Sequence, residues 1–267
     1  MFDGITLGQY YQTDSPLHRL DPRVKLVGTM AYIIALFIVK GWAGYFLAFL
    51  FLATMIALSH VPLRFVVRGM KAILIILLIT VAFNVFLTPG KVLWSFGVLK
   101  VTKEGLVFAV RMAVRLIFLI IGSSVMTLTT TPNQLTDGLE SLMGPLKKIH
   151  VPVHEISMMM SIALRFIPIL MEETDKIMKA QMARGADFES KHLMQKIRSM
   201  VPLLVPLFIS AFRRANDLAM AMEARCYHGG EGRTRMKPLI YKGRDIFGYG
   251  VVAAFFAACI VLRVVGL

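Results

Sequence analysis

Residues 106–128 read LVFAVRMAVRLIFLIIGSSVMTL, 23 positions whose only charges are Arg111 and Arg115. As a helix rising about 1.5 Å per residue, such a stretch covers the roughly 30 Å hydrocarbon core of a bilayer. Working outward, residues 41–59 and 72–87 are uncharged runs on its N-terminal side, and 246–265, whose only charge is Arg263, lies beyond it. The run 26–39 is shorter, but Lys25 and Lys40 bound it and can snorkel, and Trp42 sits at its border. These five runs predict about five transmembrane helices and an all-α integral membrane protein.

The whole chain agrees. It has 267 residues, 57% hydrophobic and 17% charged, with a net charge of +14 and a mean hydropathy of +0.67. That excludes a disordered chain and argues against an ordinary soluble domain. A nucleic-acid binder would be basic too, but it would not carry uncharged apolar runs of about 20 residues. Cys226 follows a basic stretch whereas Cys259 lies inside an apolar run, so no disulfide framework is expected. The first twenty residues are polar (Asp3, Gln9, Gln12, Asp14) and do not read as a cleavable signal.

Positive charge sets the predicted orientation. With the N-terminus inside, 23 Lys and Arg fall on the cytoplasmic side, 17 of them between residues 129 and 244, against five outside. The expected localisation is therefore a multi-pass protein of the cell membrane with its C-terminus outside. Residues 1–128 form a four-span membrane region, 129–243 a cytoplasmic coupling region, and 244–267 a last span.

The coupling region does not read like a soluble domain. Residues 156–171, apart from Ser157, Ser161 and Arg165, and residues 201–212 are apolar, then each continues as an amphipathic helix. Met171, Met178 and Met182 make one stripe, with Glu172, Glu173, Lys176 and Lys179 on the other side. Ala211, Ala215, Leu218 and Met222 make a second, with Arg213, Arg214, Asp217 and Glu223 facing away. Core packing explains such stripes in a soluble protein. Beside membrane spans they predict long helices along the inner surface. A short repeat closes both: Ala180-Gln181-Met182-Ala183-Arg184-Gly185 and Ala221-Met222-Glu223-Ala224-Arg225-Cys226 share A-x-x-A-R and then a small residue. Gly185, and Gly229-Gly230 after the second copy, are stop signals.

With these motifs in hand, the chain resembles the transmembrane T component (the CbiQ/EcfT family) of energy-coupling factor (ECF) vitamin transporters. Leu20-Asp21-Pro22-Arg23, Thr129-Thr130-Thr131-Pro132, Leu135-Thr136-Asp137-Gly138-Leu139, Pro145-Leu146-Lys147-Lys148 and Ala163-Leu164-Arg165-Phe166-Ile167-Pro168 carry the resemblance, together with Ala183-Arg184-Gly185 and Glu223-Ala224-Arg225. It implies two long cytoplasmic helices that cross and end in Ala-Arg-Gly signatures. Their arginines would dock into grooves on two ABC-type ATPase subunits. Ala183, Arg184 and Gly185, with Ala224, Arg225 and Cys226, then form the ATPase-coupling sites. Cys226 departs from the pattern by standing where glycine is expected. A separate membrane S component would recognise the vitamin or micronutrient, and ATP with magnesium would sit in the ATPases, this chain binding no cofactor.

Arginine suits a plug because it stays charged and forks two hydrogen bonds to a carboxylate. Met158, Met159, Met160, Met171 and Met178 offer a polarizable surface on which different S components could repack. Ala211, Ala215 and Ala219 recur every four residues and would let another helix approach closely. Ordinary burial competes with both assignments.

Other chemistry is poorly supported. There is no G-x-x-x-x-G-K-[ST], and residues 229–234 (GGEGRT) lack its lysine and read instead as a flexible basic turn. His150 and His154 are four apart, but Pro152 between them spoils a metal-binding helical face. Arg111 and Arg115 share one face of the fourth span and need snorkelling or polar partners, Asn84 or Thr80 among them. A self-sufficient permease, the alternative reading, would need a paired polar pathway that these few groups do not supply. A membrane-embedded enzyme would need convergent acid, base or metal ligands.

Overall fold

The computed structural model describes residues 10–96, 99–186, 188, 193–230, 236 and 238–266. The polar opening residues 1–9 and most of the 229–234 turn lie outside them. Among the described residues eight α-helices run in the order α1 (Pro22–Ile38), α2 (Trp42–Ser59), α3 (Leu63–Leu87), α4 (Lys103–Thr129), α5 (Pro132–Leu142), α6 (Val153–Ala183), α7 (Leu193–Ala224) and α8 (Gly243–Val265). One element was not anticipated. An antiparallel pair, β1 (Val92–Phe96) and β2 (Leu99–Thr102), bridges α3 and α4.

The five predicted spans fall on α1, α2, α3, α4 and α8. By length and composition four helices among the described residues can cross a membrane: α2, α4, α6 and α8. Helix α1, with 17 residues, is slightly shorter, and in α3 the apolar part is Ile73–Leu87. Helix α6 is the difference, since the sequence pattern predicts that its first half lies along the inner surface. It joins the set because 31 helical residues run unbroken through Pro168.

The chain divides into two compact units, residues 8–141 with 239–267 and residues 142–238. In the first, α1, α2, α4 and α8 surround a core of Tyr32, Ala35, Leu36, Tyr45, Ala48, Leu52, Phe255 and Cys259. The Phe51 and Phe255 rings stack with centroids 4.2 Å apart. Gly122 lets α4 approach α1, since a Cβ there would lie 2.4 Å from the Tyr32 ring. Large apolar side chains elsewhere are bare: Phe46 is 69% exposed and Phe247 75%. A soluble protein does not leave so much apolar area open, whereas lipid covers it at no cost.

Several motifs prove to be helix starts. Asp21 N-caps α1, its carboxylate accepting from Arg23 N, and Pro22 sits in the first turn where no donor is missed. Thr131 and Gln134 form a capping box at α5, with Gln134 N donating to Thr131 Oγ1 and Thr131 N to Gln134 Oε1. Pro145 opens a 3-10 turn (Gly144–Ile149) that His150 closes in the left-handed conformation, φ 61°. That closing role accounts for His150 without any metal.

A joint that the sequence does not announce ties α1 to α8. Asp245 is buried and accepts from Asp21 N at 2.9 Å and Lys242 N at 2.8 Å, so one carboxylate serves two helix starts. Arg23 grips the Asp21 carboxylate through Nε and Nη2, donates to Leu239 O, and lies 3.8 Å over the Tyr241 ring. Asp245 carried no sequence signal beyond being an acid at a helix start.

Candidate functional site

The unit of residues 142–238 is built on α6 and α7. Glu173 of α6 accepts from Ser210 Oγ at 3.0 Å and pairs with Arg214 of α7, while Gln181 Nε2 donates to Pro202 O. As numbering rises along α6 it falls along α7, so the two helices pack antiparallel. This corrects the expected faces. The sequence pattern puts Glu173 and Arg214 on the sides turned away, yet they meet between the helices. Opposite charges that satisfy each other let polar faces pack together.

Each helix ends in the same way. Arg184 N donates to Gln181 O at 3.1 Å, Gly185 N to Met182 O at 3.0 Å and Ala186 N to Gln181 O at 3.0 Å. Arg225 N donates to Met222 O at 3.1 Å, Cys226 N to Glu223 O at 2.8 Å and Tyr227 N to Met222 O at 3.0 Å. Both are Schellman caps, which satisfy the last carbonyls by reversing the chain through one left-handed residue. Gly185 holds that position with φ 89°, and Cys226 holds it with φ 55°. The departure from glycine therefore leaves the terminal geometry unchanged. It places a non-glycine residue where a Cβ is disfavoured.

The repeat thus has a physical meaning. Residue for residue, Ala183 and Ala224 end the helices, Arg184 and Arg225 occupy the cap, and Gly185 and Cys226 turn the chain away. Both arginines are exposed. Because each cap stands at the C-terminal end of its helix, the arginine charge also complements the helix dipole. The chain continues past α7 through Gly229, φ 100°, to Gly230, which lies against the His154 ring at the start of α6; a Cβ on Gly230 would come within 2.4 Å of it.

The methionine and alanine surfaces divide. Met159 and Met160 are exposed, whereas Met158, Met171 and Met178 are half-buried. Ala211 is half-buried, but Ala215 and Ala219 are exposed. These residues do not form one continuous buried stripe.

Arg111 and Arg115 find other partners than those expected. Arg115 Nη2 donates to Val39 O, at the C-terminal end of α1, at 3.2 Å, and Arg111 lies over the Trp42 ring. Asn84 instead donates to Thr80 O within α3. The two arginines brace the α1–α2 junction. Among the described residues, no three His, Cys, Asp or Glu side chains converge as metal ligands would.

Comparison with known proteins fits this architecture. The family described as cobalt transport protein (CbiQ) matches residues 13–236. A protein of Ruminiclostridium cellulolyticum named energy-coupling factor transporter transmembrane protein EcfT is 50% identical over 265 residues, 99% of each chain. Its namesake in Clostridium kluyveri is 56% identical over 247 residues, 92% of each chain. The Bacillus subtilis protein of that name is 47% identical over 246 residues, covering 92% of this chain and 93% of its own.

Proposed function

We propose that this chain, which belongs to the CbiQ family of transport proteins, is the transmembrane T component of an ECF-type ABC importer. It couples ATP hydrolysis by two partner ATPases to uptake through a membrane S component that binds the vitamin or micronutrient. The chain itself is non-catalytic and binds no cofactor; ATP and magnesium belong to the ATPases. Its N-terminus and coupling region face the cytoplasm and its C-terminus the outside.

The observation that carries this reading is the pair of matching caps with exposed arginines on two long packed helices. An ATPase pair offers two similar grooves, so a single-chain partner needs two similar plugs. Stiff helices transmit a displacement that a loop would absorb. Arg184 and Arg225 each fit a groove lined by carboxylates, where a desolvated arginine costs about 2–5 kcal/mol when truncated. The Met158–Met160 segment, with Met171 and Met178, together with Ala211, Ala215 and Ala219, supplies surface for an S component or helix packing.

The test is co-expression with two ABC-type ATPases and an S component. Arg184→Ala with Arg225→Ala should insert into the membrane yet lose the ATPases on purification and abolish vitamin uptake in proteoliposomes. Normal uptake by that double variant would overturn the role of the arginines. Uptake by the chain alone would overturn the whole reading in favour of a self-sufficient permease.

A further inference from the structure

A cavity of about 610 Å³ lies between α1, α2, α4 and α8, within the unit of residues 8–141 and 239–267. Its size is that of a ligand pocket, which typically spans about 300–1,000 Å³. Its inner part is apolar, with Tyr32, Phe51 and Leu52 among its walls. One end is cationic: Arg19, Lys25 and Arg244 line it, against a single carboxylate, Asp14, already paired with Arg19. Lys25 is 91% buried by its 9% exposure, and its ammonium donates only to two backbone carbonyls, Thr129 O at 2.7 Å and His18 O at 3.2 Å. Neither acceptor carries a charge, and a third proton remains to be donated. The Asp21 carboxylate acts on it through space but is itself gripped by Arg23, so among the described residues no carboxylate bonds this buried ammonium directly, which is costly. The cavity wall includes Leu58, Phe247 and Val251, which are 47%, 75% and 39% exposed, so its rim is apolar where lipid would meet it.

We infer that this cavity holds one anionic phospholipid, an acyl chain filling the apolar part and the headgroup phosphate held between Arg244, Arg19 and Lys25. An apolar interior with an apolar side opening admits a tail from the bilayer. The excess of cations at one end selects a negative headgroup over a zwitterionic one. The lipid would wedge the four core helices and give Lys25 a directly bonded anion.

The full chain, delipidated in detergent, is mixed with micelles carrying dioleoyl phosphatidylglycerol or dioleoyl phosphatidylcholine. Bound lipid is counted by native mass spectrometry. One phosphatidylglycerol per chain is expected, with a preference over phosphatidylcholine on the order of tenfold. Arg19→Gln with Arg244→Gln, both at exposed side chains, should erase the preference while leaving the melting temperature of the lipid-free chain unchanged. Val251→Trp at the opening should lower retention of both lipids. Equal retention of the two lipids by the unmodified chain overturns the inference. So does undiminished phosphatidylglycerol in both variants. Loss of a membrane partner subunit from Val251→Trp, with lipid retention intact, would reassign the groove to a protein helix and overturn it as well.

Discussion

Glu173 of α6 and Arg214 of α7 form an ion pair, and each lies eleven residues before the arginine that caps its own helix, Arg184 and Arg225. At about 1.5 Å per residue the two arms are each roughly 16 Å long. Their side chains are 27% and 40% exposed, which makes the pair weak as a stabiliser, of order 0–1 kcal/mol. Its value lies in registering one helix against the other. Reversing Glu173 to Arg should therefore impair ATPase-driven uptake far more than it lowers the melting temperature, and Glu173→Arg with Arg214→Glu should restore uptake. A double-mutant cycle on uptake in proteoliposomes measures this, and failure of the swap to rescue removes the registering role.

The caps predict opposite outcomes for one kind of change. Gly185→Ala forces a Cβ into the left-handed region and should destabilise the end of α6 by about 1–2 kcal/mol. Cys226→Gly removes such a Cβ and should be neutral or stabilising by up to about 1 kcal/mol. Thermal unfolding of the purified chain in detergent compares them. Equal effects of both changes would contradict the shared cap geometry.

Acid should loosen the α1–α8 joint. Burial pushes the Asp21 carboxyl upward, but hydrogen bonds from the Arg23 side chain and backbone, with the charges of Arg23 and Lys25, hold it below the ordinary carboxylate range. A folded value beneath the unfolded one, near 3.9, makes ionised Asp21 stabilising above that pH. The contribution fades as pH falls through the folded value. Asp21→Asn should therefore flatten the acid limb of a stability-against-pH curve while lowering stability at neutral pH. A curve unchanged in shape would show that other carboxylates govern the acid transition.

Gly122 gives the packing test. A side chain there strikes the Tyr32 ring, whose hydroxyl donates to Phe118 O. Gly122→Val should cost about 1–3 kcal/mol by overpacking, and Tyr32→Ala in the same chain should recover part of it. Chemical denaturation in detergent reads both.

How much was legible follows from where each signal lives. Membrane spans announce themselves by local composition, so every predicted span falls on a helix. The ends of α6 and α7 were legible because a cap is set by six consecutive residues, and two copies could be compared. The pairing of Glu173 with Arg214 was not, since periodicity marks a polar face without saying that another polar face will meet it. Asp245 escaped for a related reason: its partner, Asp21, is far away in sequence, and only the folded chain brings two helix starts to one carboxylate. The partners of Arg111 and Arg115 are a backbone carbonyl at Val39 and the Trp42 ring, and backbone acceptors leave no mark in a sequence. The β1–β2 hairpin is too short for alternation to reveal it.

Cys226 carries one more consequence. A thiol on the turning residue sits beside Arg225 only, so the two ends of this otherwise matched pair differ chemically. Alkylating or oxidising it would enlarge a side chain directly next to Arg225 and leave Arg184 untouched. Under the proposed docking of the two caps, that disables one contact while its twin keeps working, a handle for asking whether a half-engaged machine still turns over.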